Sequence, residues 1–168
     1  MEPWPSADTY EGIAEAAFVE LYPQLRRFAA VVASQDVDPD DLVQEALAHA
    51  LRRGTFASLE HPAAYLRQTI LNLERSHRRR WARWREREHR VAVTADAEEH
   101  YPSDLSVLQH VTPADRALLY LSLVEGLPYR TVAEVLGLKE SESALRGRAS
   151  RALRRLKNIL EEEARDER

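Results

Sequence analysis

Helix punctuation constrains this chain more than any other feature. Asp38-Pro39-Asp40-Asp41 combines an Asx N-cap, a proline at the first helical position and acids in the first turn. Behind it Leu42, Val43, Ala46, Leu47, Ala50 and Leu51 fall on one face, Arg52 and Arg53 occupy the last turn, and Gly54 is a stop signal. Before this helix, from Ala16, the apolar residues Phe18, Leu21, Tyr22, Leu25, Phe28 and Ala29 recur at helical spacing. Pro62 opens a third helix with Tyr65, Leu66, Thr69, Ile70 and Leu73 inward, and no breaker stops it before an arginine run. Thr112-Pro113-Ala114-Asp115 is another capped start, with Leu118, Leu119, Leu121, Leu123 and Val124 behind it. Gly126 and Pro128 punctuate the chain again. A short helix with Val132, Ala133, Val135 and Leu136 ends at Gly137, and Ser141 caps a last helix with Leu145, Ala149, Ala152, Leu153, Leu156 and Leu160 inward. The chain is predicted to be all-α.

The charge is unevenly spread. The sum is −4, but residues 75–90 hold eight arginines against two glutamates, and residues 146–157 hold six bases and no acid. Each block is +6, so the remainder is −16. Clustered bases on predicted helices are the footprint of a polyanion binder; the alternative is a pair of solvated helix faces. Residues 91–104 are acidic, contain Pro102 and lack a helical stripe, so they read as a linker. The absence of cysteine removes disulfides, thiol catalysis and cysteine-ligated metals. His49, His61, His77, His89, His100 and His110 show no metal-ligand spacing, and the five glycines form no phosphate loop. No enzyme, cofactor or metal site is expected. Without an apolar run of about 20 residues or a signal-like start, the expected location is the cytoplasm, with no membrane insertion.

The segment YRTVAEVLGLKESESALRGRASRALRRLK reads as a helix-turn-helix, with Ala133 at the crossing, Gly137 in the turn and Leu145 as the anchor of the second helix. That helix would place its N-terminal half toward base edges in the major groove. The competing reading is a helical hairpin with a basic outer face. PDDLVQEALAHAL is by itself an amphipathic helix with an acidic start. In HPAAYLRQTILNLERSHRRRWARW, Arg67, Asn72, Arg75, Arg78 and Arg79 point outward. Trp81 and Trp84 stand among arginines, which suits single-stranded nucleic acid; completion of the core is the competing reading.

In this order, FVELYPQLRRFA, DDLVQEAL, AYLRQTILNLERSHRRR and the helix-turn-helix ending RASRALRRL resemble the sigma-70 family of RNA polymerase sigma factors. The resemblance is to the small extracytoplasmic-function type, which has regions 2 and 4 alone. It implies two small helical domains on a flexible linker: region 2 over residues 1–90, an acidic linker over 91–104 and region 4 over 105–168. It implies a promoter-specificity subunit that binds core RNA polymerase and recognises −10 and −35 elements. Asp40, Asp41, Leu42, Gln44 and Glu45 would dock on the β′ clamp helices. Thr55 and Phe56, with Arg67, Asn72, Arg75, Arg78 and Arg79, would meet the −10 element, holding a flipped base. Ser141, Ser143, Arg146, Gly147, Arg148, Ser150, Arg151 and Arg155 would meet the −35 element, and region 4 would pack on the β flap. The partners implied are polymerase, promoter DNA and an anti-sigma factor.

The chain departs from the family pattern in places. Lys139-Glu140 lengthens the turn and leaves the base-contact register open by a position. Gly147 lies inside the recognition helix, where glycine costs about 1 kcal/mol relative to alanine. Tyr65 and Ala149 replace a frequent tryptophan and a bulkier apolar residue. Two other functions compete: a stand-alone helix-turn-helix regulator, and a sigma mimic that binds an anti-sigma factor.

Overall fold

In the computed structural model, residues 7–53, 59–88 and 103–166 are described, with side chains over 18–53, 59–84 and 107–165. Among the described residues every regular element is helical. These are α1 (Ala7–Val32), α2 (Pro39–Arg52), α3 (Pro62–Glu88), a 3-10 helix (Ser103–His110), α4 (Pro113–Leu119), α5 (Tyr129–Leu136) and α6 (Glu142–Asp166). The Gly54 stop signal, Thr55, Phe56 and linker residues 91–102 lie outside the described residues.

The caps form as the sequence dictates. Asp38 accepts a 2.7 Å hydrogen bond from the Asp40 amide. The Thr112 hydroxyl oxygen accepts from the Asp115 amide at 3.2 Å and its hydrogen is donated to the Asp115 carboxylate at 2.7 Å. Ser141 Oγ accepts from the Ala144 amide. Pro23 sits inside α1 and cannot donate to the carbonyl of Val19. Both residues are exposed, so the missing hydrogen bond falls on the solvent side of the helix. Beyond Leu119 the helix widens into one π turn, Tyr120–Val124, where Glu125 N–H donates to the Tyr120 carbonyl at 3.1 Å. Gly126 at φ 69° and Gly137 at φ 62° then reverse the chain in the left-handed region that glycine enters without a Cβ clash.

Helices α1, α2 and α3 pack mutually, while α6 packs on both α4 and α5. The two groups also pack on each other, through α1 with α4 and α3 with α4 and α5. Their buried side chains form one continuous core: Leu25, Phe28, Leu42, Leu66, Ile70 and Leu71 on one side, Leu118, Leu121, Val132, Leu136, Leu145 and Leu156 on the other. At about 2 kcal/mol for each fully buried side chain of this size, the shared core ties the modules into one body.

Several residues expected inward are exposed: Leu51, Leu123, Val124, Leu153 and Leu160. On α6 Leu153 lies between the buried Ala152 and Leu156 and so at the edge of the inward face, while Leu160 lies one turn beyond Leu156, the last buried member of the stripe. Leu123 and Val124 are the last two residues of the π turn, where an extra residue rotates the chain off the inward phase. Trp81 and Trp84, for which completion of the core was one reading, are exposed as well.

Candidate nucleic-acid interface

The second helix of the helix-turn-helix divides into two faces. Leu145, Ala149, Ala152 and Leu156 point inward. Ser143, Arg146, Ser150, Arg151 and Arg155 are exposed, with Ser141 at the cap and Gly147 half-buried. A Cβ on Gly147 would meet only the tip of Arg151, at 3.4 Å, so the packing does not demand glycine there. The Arg146 guanidinium lies 5.8 Å from the centre of the Tyr129 ring, a cation–π contact that ties α6 to α5.

Arg148 turns the other way. Its Nε donates to Asp115 at 2.6 Å and its Nη1 to Glu140 at 2.8 Å. Burial lowers its pKa, but the hydrogen bond and charge of Asp115 and those of Glu140 outweigh that and leave it raised. Asp115 thus fastens the recognition helix to the start of α4, and the longer turn at Lys139-Glu140 supplies a second carboxylate to the same guanidinium.

On α3, Asn72, Arg78 and Arg79 are exposed and Arg75 is half-buried. Burial, then the charges of Arg148 and Arg79, push the pKa of Arg75 below its usual value. An open cleft of about 260 Å³ is lined by Arg75, Arg78, Arg79, Thr112, Pro113 and Ala114. It lies between α3 and the start of α4. Arg67 does not point outward as expected. It is buried, donating to Glu125 at 2.8 and 2.9 Å and to Gln24 at 3.1 Å.

Arg67–Glu125 is one of several ties across the seam between modules. The Ala33 carbonyl, at the end of α1, accepts from Arg116 Nη1 at 2.8 Å and from Gln109 Nε2 at 3.1 Å. Phe28 and Tyr120 meet edge to face at 6.1 Å. The Gln68 amide lies over the helix-turn-helix turn; a Cβ on Gly137 would come within 2.0 Å of it.

On α2, Asp41 and Gln44 are exposed and Glu45 is half-buried, 3.2 Å from His77. Leu42 is in the core at 1% exposure, so its side chain does not reach a partner's surface. Asp40 accepts from Tyr22 in a short hydrogen bond and from Arg26 at 2.9 and 3.2 Å; these donors hold its carboxyl below the usual range. Asp40 therefore joins α2 to α1. Sequence reasoning missed Gln68, Gln109, Asp115, Arg116, Glu125 and Glu140, because their partners lie far along the chain or in the turn.

The sigma-70 region 2 family model matches residues 17–85, and the sigma-70 region 4 model matches residues 105–156, together well over half of the chain. The chain belongs to the sigma-70 family. It has regions 2 and 4, the arrangement of the extracytoplasmic-function type, and as a sigma factor it binds core RNA polymerase and directs initiation at promoters. The sigma factor RpoE of Bartonella quintana, solved in complex with the anti-sigma factor NepR, has a similar fold. The TM-score is 0.66, with 22% identity, over 88% of this chain and 96% of that one. Comparison with curated proteins gives no match. Among the described residues of this sigma factor, no histidine, cysteine or acidic cluster forms a metal site, and no helix is long and apolar enough to cross a membrane.

Proposed function

We propose that this sigma factor reads the −35 element with the exposed face of α6, through Ser143, Arg146, Ser150 and Arg151, with Arg155 on phosphates. The observation that carries this reading is the one-sided array of arginine and serine on a capped helix whose other face is core. Arginine pairs bidentately with guanine O6 and N7 or holds phosphates. Ser141 and Gly147 keep places at the edge of that surface. Arg148 acts as a positioning residue for the helix.

Asn72, Arg75, Arg78 and Arg79, with Thr55 and Phe56 of the loop before α3, meet the −10 element. Asp41, Gln44 and Glu45 dock on the β′ clamp helices, with Asp40 setting the angle of α2, and region 4 packs on the β flap. Function is by binding, in the cytoplasm, with no catalytic residue. The closed seam buries Arg67 and half-buries Arg75, so full −10 contact requires the modules to separate. An anti-sigma factor, the kind of partner in the RpoE complex, would act on this closed arrangement.

The test is reconstitution with core polymerase and selection of transcribed sequences from a randomised promoter library. A selected −35 motif should lose definition at one or two positions in Arg151→Ala, while polymerase binding stays unchanged. With about six phosphate contacts, the salt dependence of promoter binding should have a log–log slope near −5. No selected promoter from folded, polymerase-bound protein would overturn the reading. Binding to an inverted repeat without polymerase would favour a stand-alone regulator.

A further inference from the structure

Closing the seam crowds arginines of region 2 against one of region 4. Arg75 is half-buried, and the charges of Arg148 and Arg79 add to burial in lowering its pKa. Like charges held together in this way cost free energy that a bound anion recovers. Arg148 is already answered, by Asp115 and Glu140. The surplus lies on α3. Among the described residues no carboxylate forms an ion pair with Arg75, Arg78 or Arg79. Arg75 lies 3.5 Å from the Asn72 side-chain oxygen, and Arg79 donates to Ser76 at 3.1 Å.

These three arginines form one wall of the cleft of about 260 Å³ whose other wall is Thr112, Pro113 and Ala114. The walls belong to different modules, so the cleft exists only while the seam is closed. The second wall adds no acid of its own. Asp115 follows Ala114 in the chain, and Arg148 holds its carboxylate at 2.6 Å. Asp36 shares a separate cleft with Arg78.

Volume and donor count say what fits. A nucleic-acid duplex is too wide for so small a cleft. Three guanidinium forks, each engaged bidentately, offer about six N–H donors. A carboxylate presents only a pair of oxygens, and a single phosphate about four, so neither fills all three forks. A diphosphate group presents about six terminal oxygens, with the several negative charges that three arginines call for.

We propose that the cleft between α3 and the start of α4 binds a diphosphate group through Arg75, Arg78 and Arg79, and so fastens region 2 to region 4 in the free protein. The site goes beyond the −10 role of these arginines and does not depend on it. Where both hold, an occupied cleft withholds the three side chains from promoter DNA.

The test is calorimetric titration of the full chain with inorganic pyrophosphate at fixed ionic strength, with sulfate as the comparison anion. Pyrophosphate should saturate one site per chain, and sulfate should bind at least about tenfold more weakly. Arg75→Ala and Arg79→Ala should each weaken pyrophosphate binding about tenfold. Arg130→Ala, which removes an exposed arginine of α5, should leave it unchanged. Arg148→Ala, with folding checked by circular dichroism, should also weaken it about tenfold, because Asp115 beside the cleft loses its cation. ADP binding at least as tightly as pyrophosphate would assign the group to a nucleotide, and weaker ADP binding to the inorganic ion; both support the site.

No saturable binding, sulfate equal to pyrophosphate, or unchanged affinity in Arg75→Ala and Arg79→Ala would overturn the proposal. Unchanged affinity in Arg148→Ala would overturn it too, since α3 would then hold the anion without region 4. Transcription from a selected promoter separates this site from the −10 reading. Transcription lost in Arg75→Ala and Arg79→Ala, with no pyrophosphate binding by wild type, leaves the −10 reading alone. Pyrophosphate binding with transcription indifferent to both arginines leaves the diphosphate site alone.

Discussion

The seam between regions 2 and 4 makes a quantitative demand on Glu125. Arg67 and Glu125 have side chains 9% and 22% exposed and meet at 2.8 Å. Glu125→Ala would leave the Arg67 guanidinium buried with Gln24 as its named remaining acceptor. Breaking a fully buried pair costs about 3–5 kcal/mol, and an exposed pair about 0–1. With Glu125 one-fifth exposed, about 2 kcal/mol is the working figure, roughly a 30-fold shift from closed toward open. The chain has no cysteine, so dyes can be placed at Arg53→Cys in region 2 and Asn158→Cys in region 4, both exposed positions. Single-molecule energy transfer on the free protein should show a low-transfer population that grows in Glu125→Ala. Adding Arg67→Met should restore much of the closed population, because a buried pair replaced by apolar groups leaves no stranded charge. Identical transfer histograms for wild type and Glu125→Ala would refute the view that this pair holds the seam.

Three other perturbations follow from the geometry. Arg148→Ala should lower stability by about 1–2 kcal/mol, read from urea midpoints, because charge-assisted hydrogen bonds to the part-buried Asp115 and the exposed Glu140 are lost. Gly137→Ala should cost about 1–2 kcal/mol for the left-handed backbone alone, plus displacement of Gln68. Adding Gln68→Ala in a thermal-melting series should recover only the second part. Asp40 has its carboxyl pKa depressed by the Tyr22 and Arg26 donors. Its contribution is therefore present above the unfolded value, about 3.9, and fades as pH falls through the folded one. The loss of stability between about pH 5 and pH 2 should be shallower in Asp40→Asn.

The elements with local causes were legible in the sequence. Asp38, Thr112 and Ser141 announce their helices because a cap bonds to its own next turn, and Gly137 ends α5 because the left-handed position needs no distant partner. The inner face of α3 was readable at Leu66 and Ile70, but Leu71 and Glu74 are fully buried beside them, while Tyr65, Thr69 and Leu73 are half-buried. Direction of charge was not. Arg67 and Arg148 look like their exposed neighbours until Glu125 and Asp115 are brought to them from 58 and 33 residues away. The stripe of α6 overstated burial because spacing shows which side is apolar and not how wide or how long the covered strip is, so Leu153 at its edge and Leu160 beyond its end are exposed. The packing of region 2 on region 4 had no sequence signal, since it depends on single contacts between residues that look ordinary. The face of α6 that carries the −35 reading was readable in composition, and the structure removed one arginine from it.

One acceptor in the seam is a backbone carbonyl. Arg116 and Gln109 both donate to the oxygen of Ala33, an atom every residue at position 33 would provide. A substitution in region 2 reaches this tie only by moving the backbone at the end of α1, where Ala33 is fully buried. Positions 109 and 116, both in region 4, supply its side chains. The hold of one module on the other is thus written on one side alone. Exchanging region 2 for that of another sigma factor would carry the acceptor along whenever the end of α1 keeps its course.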